Sequence, residues 1–82
     1  MKSRFVWAPR VRELFLELPE RDGQNILERL ALVTMFPHMY PVRARNRRFR
    51  RHRRFRAGNW HVFYKVVDDV VYIRGLWPAQ IP

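Results

Sequence analysis

Apolar positions recur along this chain with two different periods, and the change between them divides it in two. Val11, Leu14, Phe15 and Leu18 follow the i, i+3, i+4, i+7 spacing of one helical face. Pro9 suits the first turn of that helix, and the dipeptide Leu18-Pro19 ends it. A second helix is predicted over about residues 20–35. Its apolar stripe is Ile26, Leu27, Leu30, Ala31 and Thr34, with Glu28 and Arg29 outside, and Gly23 softens its start. Two prolines bracket residues 36–41, which are predicted to form a connection packed down by its aromatics. Ahead of the helices, residues 3–8 (Ser-Arg-Phe-Val-Trp-Ala) are rich in β-formers and predict a short first strand.

In the second half the period falls to two. Residues 60–67 and 70–77 predict two strands joined by Asp68-Asp69, a two-residue hairpin turn. A further strand over 49–56 precedes them. With Ala57-Gly58 as the connecting turn, Arg54 opposes His61 and Phe55 opposes Trp60. One face then collects Phe55, Trp60, Val62, Tyr64, Val66, Val71, Ile73, Gly75 and Trp77, a surface ready to receive the helices. The other collects His52, Arg54, Arg56, His61, Phe63, Lys65, Tyr72 and Arg74. The expected class is α+β. A short N-terminal strand leads to two helices packed on one face of a C-terminal antiparallel β-meander, all in a single domain over residues 1–82.

Charge changes this picture because it is concentrated. Nine of the fourteen residues from 43 to 56 are arginine. Outside that run 8 basic residues face 7 acidic ones, so the run carries nearly all of the net charge of +10. Such an element attracts polyanions by steering and counterion release. Uninterrupted basic blocks are usually solvated arms. Here Phe49 and Phe55 interrupt the run and a strongly apolar segment follows, which favours a folded strand. Alternation then places Phe49, Arg51, Arg53 and Phe55 on the core side, the arginines reaching for the edge, and Arg50, His52, Arg54 and Arg56 on the opposite side.

Composition sets the outer bounds. The chain is 48% hydrophobic, too apolar for a disordered protein. With no cysteine, disulfide frameworks and thiolate metal sites are excluded. No apolar stretch approaches the roughly 20 residues of a membrane span, and no apolar segment follows Met1-Lys2-Ser3-Arg4 as in a secretory signal. A cytoplasmic protein with an anionic partner is expected, without membrane association, cofactor or metal; Asp68 and Asp69 are most simply turn residues.

The cationic face holds the inventory for RNA cleavage. Histidine, with an unperturbed pKa of about 6.5, exchanges protons near neutrality, and arginine grips phosphate oxygens with its planar fork. His61, His52 and Arg54 are the candidate catalytic residues, His61 for proton transfer, and Arg54, Arg56 and Arg74 are candidates for phosphate binding. Phe63 or Tyr72 would stack a base. Lys65, with Arg45, Arg47, Arg48 and Arg50 leading into the strand, extends the phosphate-binding set. The plainer alternative is a solvated, binding-only face. His38, in the Pro-bracketed connection, is expected to be structural, and Trp7, Trp60 and Trp77 to lie in the core or at its rim.

The stretch from Phe55 to Asp69 (Phe-Arg-Ala-Gly-Asn-Trp-His-Val-Phe-Tyr-Lys-Val-Val-Asp-Asp) and the segment Ile73-Arg74-Gly75-Leu76-Trp77-Pro78-Ala79-Gln80 resemble the RelE/ParE superfamily of bacterial toxins, as does the order strand, two helices, three-stranded meander. The resemblance implies the toxin of a type II toxin–antitoxin, or plasmid stabilization, module, neutralised by a small acidic antitoxin. RelE-like members cut messenger RNA in the ribosome, and ParE-like members inhibit DNA gyrase without catalysis. The family's phosphate-surrounding positions fall on His52, Arg54 and His61, the last replacing an arginine. The C-terminal arginine–tyrosine or histidine–tyrosine pair of the nucleases has no counterpart here, and Pro78 stands where relatives often carry histidine. That absence supports the gyrase-inhibitor reading, but the arginine run and the histidine pair favour a RelE-like, ribosome-dependent endoribonuclease, which is the expectation. The alternatives are a gyrase inhibitor and a non-toxic RNA-binding domain of the same fold.

Overall fold

The computed structural model of the chain describes residues 4–43 and 51–79. In order these form β1 (Arg4–Trp7), α1 (Pro9–Glu17), α2 (Glu20–Met35), β2 (Val42–Arg43), β3 (His52–Ala57), β4 (Trp60–Val67) and β5 (Val70–Pro78). The strands make one sheet in the order β1-β5-β4-β3-β2. The expected antiparallel meander is β3–β4–β5. The sheet is nonetheless mixed, because β1 joins the β5 edge in parallel, Phe5 beside Val71 and Trp7 beside Ile73. The two-residue β2, just after the 36–41 connection and not anticipated from the sequence, extends the opposite edge. Phe49 and Arg50, at the expected start of the second-half sheet, lie outside the described residues.

Both helices lie on one face of the sheet. Ile26, Leu30 and Val33 of α2 and Val11 of α1 are buried against Phe55, Ala57, Val62, Tyr64, Val71, Ile73 and Leu76. Burying one such side chain is worth about 1.5–3 kcal/mol, and this cluster is the main source of stability. The helix faces differ from expectation in detail. Leu14 and Leu27 are exposed, and Val33 takes the buried place expected for Ala31. α2 begins after Pro19 with Glu20 and Asp22 in its first turn, where negative charge complements the helix dipole.

The 36–41 connection is clasped to the sheet by polar bonds. The Tyr64 hydroxyl, fully buried, donates to the Pro37 carbonyl at 3.1 Å. Arg53 donates to the Tyr40 carbonyl and through Nη2 to Nδ1 of His38 at 3.0 Å. A guanidinium only donates, so His38 accepts at Nδ1. Tyr40 packs on Phe55, and Phe55 on Tyr64. Arg53 is thus a core-side arginine that reaches the edge to hold the chain.

Burial pushes the Tyr64 hydroxyl up to about 12, the nearby Arg53 guanidinium offsetting only part of the effect. The folded value lies above the unfolded value of about 10. The resulting stabilisation is complete below pH 10 and is lost as the pH rises through about 12, by about 2–3 kcal/mol. Urea unfolding at pH 8 and at pH 11, midway between the two values, is expected to show about half of this loss. Tyr64→Phe is expected to cost about 1 kcal/mol at pH 8 and to flatten the decline. An equally steep decline in the variant would assign it to other groups.

Candidate functional site

Two turns and one irregularity fix which side chains share the open face of the sheet. Asp68 and Asp69 both have positive φ, 48° and 64°, as a two-residue type I′ turn requires, and Val67 pairs with Val70 as the sequence suggested. The β3–β4 turn is Gly58-Asn59 rather than Ala57-Gly58. Gly58 has φ +59°, and hairpin turns that need positive φ at their first central residue favour glycine there. Ala57 therefore pairs with Trp60, Arg56 with His61, Phe55 with Val62 and Arg54 with Phe63. The face assignment of β3 survives, because the slip relative to the expected register is one whole alternation. The neighbours do not: His61 now stands opposite Arg56, with Arg54 one diagonal away.

The consequence for the two histidines is quantitative. His52 precedes Arg56 by four residues, about 13 Å along a strand at ~3.3 Å per residue. His52 and His61 share the face but cannot both reach one phosphate. His61 joins Arg54 and Arg56, while His52 stands at the far end of β3 towards the β2 edge.

The irregularity lies in β5. Tyr64 pairs with Ile73, yet Phe63 pairs with Gly75, so Arg74 is an extra residue, a β-bulge. Beyond it the alternation is reversed. Leu76 pairs with Val62 and enters the core. Trp77, expected on the core side, instead stands opposite His61 and is 40% exposed. Gly75 leaves the expected core face and sits opposite Phe63. Phe63 is 4% exposed and forms the floor of this face, so an incoming base would meet Tyr72, half-buried beside Lys65, before it met Phe63. Trp77 is the residue that sequence reasoning missed. The glycine inside an otherwise β-branched and aromatic strand was the available sign of a bulge.

The open face thus carries half-buried His52, Arg54, His61 and Tyr72 and exposed Arg56 and Lys65, with exposed Arg74 at the bulge. The Nδ1 atom of His61 is buried. Arg56 donates from Nε to the Gly58 carbonyl at 2.9 Å, spending one of five guanidinium donors to fix its stem at the turn. The start of β4 is pinned from below, Trp60 donating from Nε1 to Asp22 at 3.2 Å. Arg45, Arg47, Arg48 and Arg50 lie outside the described residues. Among the described residues no group of His, Asp and Glu is placed to hold a metal ion, and no helix is long and apolar enough to cross a membrane. A cleft of about 310 Å³ between α2 and the β3–β4 turn opens on the helix side, holds no histidine and is lined by one acid and one base, Glu28 and Arg29.

A mixed sheet with two helices on one side is the RelE-like α+β fold. Solved structures agree. The chain superposes on the free-state structure of a mutant of the Escherichia coli toxin RelE with TM-score 0.74 at 17% identity, covering 98% of this chain and 86% of that one. It also superposes on a chain of the archaeal RelE–RelB complex from Pyrococcus horikoshii OT3 with TM-score 0.74 at 22% identity, covering 96% and 97%. No curated protein matches in sequence. The sequence model of the ParE toxin of type II toxin–antitoxin systems, parDE, matches residues 6–80. The chain belongs to that family and is a toxin of the RelE/ParE superfamily.

Proposed function

We propose that this toxin is a messenger-RNA endonuclease acting on ribosome-bound message. The observation that carries the reading is the pairing of His61 with Arg56, Arg54 one diagonal away on the same face. His61 takes the proton of the ribose 2′-OH. The 2′-oxygen forms a bond to phosphorus, the bond to the 5′-oxygen breaks, and solvent protonates the departing oxygen. A 2′,3′-cyclic phosphate and a 5′-hydroxyl end result. Arg54 and Arg56 carry the charge that grows on the phosphoryl oxygens. Arg74, Lys65 and the arginines at 45, 47, 48 and 50 hold flanking phosphates, and His52 with Tyr72 meets the neighbouring nucleotide. A small acidic antitoxin is the natural counterpart in the cell, as RelB is of RelE in the archaeal complex.

The family match favours a second reading, inhibition of DNA gyrase, since ParE is the toxin its description prints. The two separate cleanly. Added to an extract translating ready-made message, where no gyrase is needed, the protein is expected to stop amino-acid incorporation. Undiminished incorporation, with gyrase supercoiling blocked by the same preparation, would establish the second reading instead.

A further inference from the structure

The bulge at Arg74 has placed a tryptophan where the chain's chemistry can use it. Arg56, His61 and Trp77 form one row across β3, β4 and β5. Adjacent strands lie about 4.7–4.9 Å apart, so the row spans about 10 Å, the reach of a single nucleotide with its phosphate at one end and its base at the other. Trp77 stands on paired backbone: Trp60 pairs with Pro78, and Ala79 donates its N–H to the Asn59 carbonyl at 2.7 Å.

We propose that Trp77 is the base-stacking platform of a single-stranded RNA site, holding one nucleobase while Arg56 holds the phosphate on the other side of His61. The inference rests on the RNA reading of this face and adds the residue that recognises the base. Stacking on an indole accepts any base, so the platform favours unpaired RNA over duplex and contributes grip more than sequence preference.

The test uses the full chain and a short single-stranded oligoribonucleotide whose 2′-O-methyl groups prevent cleavage, at physiological salt. Trp77→Ala is expected to weaken binding about tenfold, and Trp77→Phe to restore most of it, with Arg12→Ala, exposed on α1, as the surface control. Binding of Trp77→Ala equal to wild type, with wild type binding well, would overturn the platform and leave the RNA reading standing. Equal loss in the Phe and Ala variants would also overturn it, since a phenyl ring still stacks. Failure of the wild type to bind, together with loss of gyrase inhibition in Trp77→Ala, would overturn both.

Discussion

His61→Ala is expected to slow message cleavage about a hundredfold or more, the contribution typical of a positioned general base, while the variant still binds message. The reason is geometric. His61 lies on a central strand, flanked by β3 and β5, opposite Arg56 on one side and Trp77 on the other. It is the histidine that the register brings beside two arginines, Arg56 directly opposite and Arg54 one diagonal away. His52→Ala, about 13 Å away along the sheet, is expected to change the rate far less and the affinity somewhat. End-point mapping of cleaved message with both variants checks this pair. A larger loss in His52→Ala than in His61→Ala would move the reacting phosphate to the other end of β3.

The second large effect concerns the bulge. In an uninterrupted β5, Leu76 would face the site and Trp77 the core. The observed register makes the opposite assignment, with Leu76 6% exposed and Trp77 40% exposed. Leu76→Ala is therefore expected to cost about 2–5 kcal/mol, which for a domain of this size lowers the melting temperature by more than about 10 °C. Trp77→Ala is expected to cost less than about 1 kcal/mol. Thermal unfolding of the two variants measures the difference, and the reverse order of sensitivity would mean that β5 runs without the bulge.

These particulars show where the sequence could be read and where it could not. The bounds of α2 and of β4, and the Asp68-Asp69 turn, follow from local signals: helical spacing, β-branched runs and adjacent turn residues. The division of β3 into a core side and an open side was equally local. The position of the Gly58 turn was missed by one residue, because alternation is satisfied by either placement and only the sign of φ at glycine distinguishes them. Parallel pairing of β1 with β5 joins residues more than sixty apart and leaves no local trace. The bulge had one trace, Gly75, which reads equally well as an ordinary small core residue until pairing partners are known. The basic face was therefore legible as a surface, while its centre, Arg56–His61–Trp77, emerged only from register.

The most direct test of the central claim is the chemistry of the message ends left in a translating extract. The account predicts cuts in ribosome-bound message that carry a 5′-hydroxyl and a 2′,3′-cyclic phosphate, absent with His61→Ala. Intact message with arrested gyrase, or cuts bearing a 5′-phosphate, would contradict it.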